Sequence, residues 1–141
     1  MMISKYVALG CPADAAFRAF TRGEDILRWW GDEAIYRTVE WQADVRPGGA
    51  WKATFASPDG QRFTAFGDYR AVQKPSTLVW SFAADWAPGK VKQITMRFAG
   101  APGGSVMTFA SDGHTDADDR LADERGWDQI IGWFSAYLRD T

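Results

Sequence analysis

The chain has 141 residues, with 16 Lys and Arg against 18 Asp and Glu, a net charge of -2. That length suits one soluble domain whose core folds without disulfides or metal, and the scattered, nearly balanced charges argue against a nucleic-acid footprint or an electrostatically held membrane surface. Leu, Ile, Val and Phe together are few for a folded chain, but eight Trp, nine Phe and four Tyr bring large buried areas.

Ile3 to Leu9 is β-compatible and is closed by Gly10, Cys11 and Pro12. This predicts a first strand and then a helix from Pro12 to about Phe20, with Pro12 in its first turn and Phe17 and Phe20 on one face. Thr21 and Glu24 have capping-box spacing, so a second short helix is expected from Glu24 to Trp29 or Trp30, ended by Gly31. From Tyr36 the period changes to two, and turn signals recur at Pro47-Gly48-Gly49, Pro58-Asp59-Gly60, Lys74-Pro75-Ser76, Pro88-Gly89 and Pro102-Gly103-Gly104. An antiparallel meander of six strands follows, near residues 36–45, 50–57, 61–72, 77–85, 90–99 and 105–111. Asp112 to Asp119 reads as a polar loop whose acidic end suits the positive end of a helix dipole. The last helix, about Asp118 to Arg139, carries Leu121, Trp127, Ile130, Ile131, Phe134, Tyr137 and Leu138 at spacings of three and four. With no repeat or linker, the order predicts a single α+β domain over 1–141, the long helix covering one face of the sheet.

Strand alternation assigns an inner face. It holds Trp51, Ala53 and Phe55, then Leu78, Trp80 and Phe82, then Ile94, Met96 and Phe98, then Met107 and Phe109. Strand 61–72 is ambiguous, because Phe63 and Phe66 have opposite parity. If these faces converge beneath Trp127, Ile130, Ile131 and Phe134, the space between sheet and helix is either filled or a pocket, lined almost wholly by apolar side chains.

Chemistry-bearing patterns are sparse. One cysteine, Cys11, makes no internal disulfide, which points weakly to a reducing compartment and so to the cytoplasm. No apolar run approaches the roughly 20 residues of a bilayer span, and no export signal opens the chain. One His and one Cys supply no zinc set, and Asp112, Asp116, Asp118 and Asp119 with His114 do not match an EF-hand loop and read as a solvated helix start. Neither Cys11 nor Ser111 stands in a nucleophile motif with His114, and the glycine pairs lie in hairpins, where they cradle no phosphate. No catalytic residue, metal or cofactor is expected.

The segments Phe17 to Phe20, Leu27-Arg28-Trp29-Trp30-Gly31, Asp44-Val45-Arg46-Pro47-Gly48-Gly49-Ala50-Trp51, Pro58-Asp59-Gly60, Gly67, Pro75 with Leu78-Val79-Trp80, and Gly126-Trp127 carry a likeness. Over almost the whole chain they resemble the Activator of Hsp90 ATPase homologue 1-like (AHSA1-like) family of the START-like, or SRPBCC, superfamily. The resemblance implies a helix-grip (START-like, Bet v 1-like) fold: a curved antiparallel sheet around a long C-terminal helix, with two short helices after strand 1. It also implies a deep hydrophobic cavity between sheet and helix. Packing roles are expected for the motif residues, with Pro47-Gly48-Gly49 as a hairpin turn, Trp29 and Trp30 closing the end of the core, and Gly126 allowing helix and sheet to approach. Where family members often carry a histidine near the end of the last strand and a Phe after the following Gly, this chain has Ser111 and His114, a polar pair expected at the cavity mouth.

The expected function is binding of a small hydrophobic or aromatic ligand, lipid- or polyketide-like, in that cavity. Its lining is expected from Trp30, Trp51, Phe55, Trp80, Phe82, Met96, Met107 and Phe109, with Trp127, Ile130 and Phe134 on the helix and Ser111 and His114 as polar contacts. One alternative is a cyclase- or aromatase-like enzyme using a proton shuttle by His114, Asp112 or Tyr69. Another is an Hsp90-type chaperone-interaction or stress-related binding module, although the eukaryotic activators resemble this chain in one domain only and carry a further chaperone-binding domain for which 141 residues leave no room. The expected partner is a small apolar ligand, with no nucleic acid, no membrane insertion, and a homodimer on base rate alone.

Overall fold

A computed structural model describes residues 2–139. Strand β1 (Ile3–Leu9) leads to helices α1 (Ala13–Ala19) and α2 (Gly23–Trp29). Strands β2 (Gly31–Asp32), β3 (Tyr36–Ala43), β4 (Ala50–Ala56), β5 (Arg62–Gln73), β6 (Thr77–Ala84), β7 (Lys92–Ala101) and β8 (Gly104–Asp112) follow, and α3 (Ala117–Arg139) closes the chain. The strands make one curled antiparallel sheet of order β1-β8-β7-β6-β5-β4-β3-β2, in which the first strand returns to pair with the last. With α3 gripped by the curl, this is the helix-grip fold. Among the described residues no helix is long and apolar enough to cross a membrane.

The expected meander is present, and the differences have local causes. The short strand β2 was not expected; it pairs Gly31 with Arg37 and Asp32 with Tyr36. Gly31 makes this possible: its φ is 136°, and a Cβ there would lie 2.5 Å from the Tyr36 carbonyl oxygen. The capping box does not form. Arg22 is the N-cap of α2, while Thr21 Oγ1 donates to the Phe17 carbonyl at 2.8 Å and so closes α1 instead. The Pro47-Gly48-Gly49 turn is as expected, with Gly48 at φ 83° and the loop stitched to β5 by Gly48 N–H to Tyr69 O at 2.7 Å and Tyr69 N–H to Gly49 O at 2.8 Å.

Alternation holds on the inner face. Trp51, Ala53 and Phe55, Leu78 and Trp80, Ile94, Met96 and Phe98, and Met107 and Phe109 are all buried, and Phe82 is half-buried. In β5 the ambiguity resolves because Phe66 is an exposed aromatic on the outer face, while Phe63 and Ala65 face inward. A bulge between Tyr69 and Ala71 then shifts the parity of the rest of the strand.

The C-terminal half of α3 packs hard on the small helices. Phe134 meets Phe20 edge-on at 5.0 Å and Trp29 at 4.9 Å, and Tyr137 Oη donates to Asp25 at 2.7 Å. Trp29 Nε1 donates to the Ala19 carbonyl at 2.8 Å, tying α2 to α1. Trp29 and Trp30, stacked 5.5 Å apart, close this end of the core as expected. Leu121 departs from the expected apolar stripe and is exposed, because it lies on the outer side of the first turns of α3. Gly126 departs as well: a Cβ there would meet nothing within 4 Å, so no close approach to the sheet depends on it.

Candidate functional site

The N-terminal half of α3 stands over empty space. Between it and the sheet lies a cavity of about 760 Å³, within the range of small-molecule sites. Seven aromatic side chains wall it: Trp30, Tyr36, Phe55, Phe63, Phe82, Trp86 and Trp127. Trp30 lies 5.7 Å from Phe55 and 5.9 Å from Trp127, and Phe82 lies 5.9 Å from Trp127. Trp86, exposed on the β6–β7 loop, forms the rim and meets Phe63 edge-on at 5.5 Å. Burial pushes the Tyr36 phenol up, and a bond from Trp30 Nε1 at 3.3 Å offsets part of that, so Tyr36 is neutral at pH 7. Gly126, lacking a side chain, belongs to the helix wall.

The other end is polar, contrary to the expectation of almost only apolar side chains. Lys92 continues the inward parity of Ile94, Met96 and Phe98, and its Nζ lies 3.0 Å from Asp119 Oδ1. Lys90 lies 3.8 Å from the same oxygen. Desolvation resists ionising Asp119, but the Thr115 N–H at 2.9 Å, the Lys92 hydrogen bond and the charges of Lys92 and Lys90 outweigh it and hold the carboxyl at about 2. Asp116 Oδ1 accepts the Asp119 N–H at 2.8 Å and starts α3, so much of the acidic run serves the helix terminus.

One turn further along α3, Asp123 Oδ2 accepts from Ser111 Oγ at 2.8 Å and from His114 Nε2 at 2.7 Å. Ser111 reaches Asp123 from the inner face of β8, where it is fully buried.

Of the residues named from sequence, Trp30, Phe55, Phe82, Trp127 and Ile130 line the cavity. Trp51, Trp80, Met96, Met107, Phe109 and Phe134 do not; they are buried beside or beneath it. Trp80 meets Trp51 at 5.1 Å and Trp127 at 6.0 Å, and Phe109 meets Trp127 at 4.8 Å. An inward side chain borders the cavity only where α3 leaves space above it; Trp51, Trp80, Phe109 and Phe134 sit where neighbouring rings already fill it, and Met96 and Met107 are fully buried. Ser111 and His114 are not on the wall either, and reach it through Asp123. Of the proton-shuttle candidates, Tyr69 is buried away from the wall with its phenol pushed up by burial, and Asp112 is exposed at the end of β8. Sequence reasoning missed Tyr36, Phe63, Trp86, Lys92, Asp119 and Asp123 as wall residues. For Lys92 the signal was present, since the alternation of Ile94, Met96 and Phe98 extends back to it.

A family profile described as Activator of Hsp90 ATPase homolog 1-like protein matches residues 10–139. Comparison with curated proteins returns no match. Solved structures of the same fold include a protein from Nitrosomonas europaea, 19% identical with a TM-score of 0.85, the match covering 99% of this chain and 95% of that one. A protein from Chromobacterium violaceum is 22% identical with a TM-score of 0.86, covering 97% and 96%. An AHSA1-like protein from Aeromonas hydrophila is 24% identical with a TM-score of 0.80, covering 99% and 93%. At these identities the likeness speaks to the fold alone.

Proposed function

The chain belongs to the Activator of Hsp90 ATPase homolog 1-like family, and from that premise we propose that it binds a small apolar or aromatic molecule in the cavity between its sheet and α3. The observation that carries this reading is the aromatic-walled cavity of about 760 Å³ itself. Protein interiors are close-packed, with few voids larger than a water molecule. A cavity walled by rings forfeits dispersion contacts on its open side, and a flat apolar ligand restores them while leaving water. Burying roughly 250 Å² of apolar ligand surface is worth about 6 kcal/mol before the costs of association.

The test is a thermal-shift and native mass-spectrometry screen of the purified protein against aromatic, lipid and polyketide-like compounds. A ligand at 100 times its Kd stabilises the folded chain by about 2.7 kcal/mol. The expected result is a stabilising compound retained at one per chain, with a weaker effect on Trp86→Ala, whose exposed rim position leaves the core intact. No bound compound and no shift across the three classes would overturn the reading.

A further inference from the structure

The aromatic wall and the polar end together restrict the charge of the ligand. We infer that the cavity selects an organic cation, a protonated amine carried on a flat aromatic or alicyclic body. This rests on the cavity-binding reading above and deepens it.

Two independent features point the same way. The wall carries seven aromatic rings, and the quadrupole of a ring attracts a cation held over its face within about 6 Å of the centroid. The polar end carries two lysines, Lys90 and Lys92, against four aspartates, Asp116, Asp118, Asp119 and Asp123. Both lysines are engaged by the same carboxylate, since Lys92 and Lys90 lie 3.0 and 3.8 Å from Asp119 Oδ1. Asp123 is held differently, by the Ser111 hydroxyl and His114, both on Oδ2. It precedes Trp127 by four residues on α3, so carboxylate and indole stack along one face of the helix and both belong to the cavity wall. An ammonium group between them meets a fixed carboxylate on one side and rings on the other. A ligand carboxylate, by contrast, would face Asp123 and would have to take Lys92 from Asp119 in a place where Lys92 is almost wholly buried.

Three probes of one shape read this directly: 1-naphthylmethylamine as the cation, 1-naphthylmethanol as the neutral form and 1-naphthoate as the anion, titrated calorimetrically into the full chain at pH 7.5. The amine should bind about tenfold more tightly than the alcohol, and the acid more weakly than either. Raising the salt concentration should weaken the amine and leave the alcohol unchanged. Asp123→Asn should weaken the amine more than the alcohol and so remove the amine's tenfold advantage, with folding checked by circular dichroism. If Asp123→Asn does not fold, Asp118→Asn together with the salt series on the unaltered chain reads the same charge effect from an exposed position. Equal binding of all three probes, or tighter binding of the acid, overturns the selection of cations while leaving cavity binding in place. Binding of none of them overturns both.

Discussion

Gly126 stands inside α3, where glycine costs about 1 kcal/mol relative to alanine. The usual reason to keep such a glycine is a close neighbour, and here there is none, since a Cβ at this position would meet nothing within 4 Å. Gly126→Ala should therefore stabilise the ligand-free chain by about 0.8–1 kcal/mol. For a chain of this size the unfolding entropy is roughly 0.3 kcal/mol per degree, so the Tm should rise by about 3 °C. Gly132 offers a control, because it is in the same helix, meets nothing within 4 Å, and does not belong to the cavity wall. Gly132→Ala should gain as much. A larger side chain at 126 should separate the two positions: Gly126→Leu should fold and lose ligand affinity by occupying cavity space. Urea denaturation and calorimetry of the apo proteins measure the first pair. Destabilisation by Gly126→Ala of 1 kcal/mol or more would refute the reasoning, because it would mean that helix and sheet touch at this point.

Asp119, held at about 2 against an ordinary 3.8, binds its proton less readily in the folded chain than in the unfolded one. Its contribution, about 1–2 kcal/mol, should be present in full above about pH 4 and lost as the pH falls toward 2. Asp119→Asn should lower stability at pH 7 and flatten the acid limb of a urea-midpoint against pH series; an unchanged acid limb would contradict the ion pair's role. Gly67→Ala should cost about 1–3 kcal/mol, since the Ser81 carbonyl oxygen stands where the Cβ would go and Trp51 Nε1 lies 2.7 Å from it. Denaturation of that variant checks the magnitude, and a neutral result would mean that β5 and β6 separate there without loss.

The course of the meander was legible because β4, β6, β7 and β8 alternate bulky inward side chains with smaller or polar outward ones and the turns carry their own Gly or Pro, whereas β5, with Phe63 and Phe66 of opposite parity, was not. The cavity was less legible. Parity identifies which side chains point inward, but whether an inward side chain is packed or borders space depends on the tilt of α3, which no local pattern encodes. Trp80 and Phe82 share one parity and one strand, yet Trp80 is core and Phe82 is wall. The bond of Ser111 to Asp123 joins residues twelve apart that meet only because α3 folds back across β8. Trp86 reads as a loop residue and becomes rim only because the β6–β7 loop curls over Phe63. Lys92 lies on the same alternation as Ile94, Met96 and Phe98, and a lysine on an inner face needs a partner, which here lies 27 residues away on α3.

The eight indole N–H groups of the chain provide the most direct test of cavity binding. In a ¹⁵N-labelled sample titrated with 1-naphthylmethylamine, the indole signals of Trp30, Trp86 and Trp127, which line the cavity, should shift. Those of Trp29, Trp41, Trp51, Trp80 and Trp133, outside its wall, should move far less. Shifts confined to tryptophans outside the wall, or no indole shift at saturating probe, would contradict a binding site between the sheet and α3.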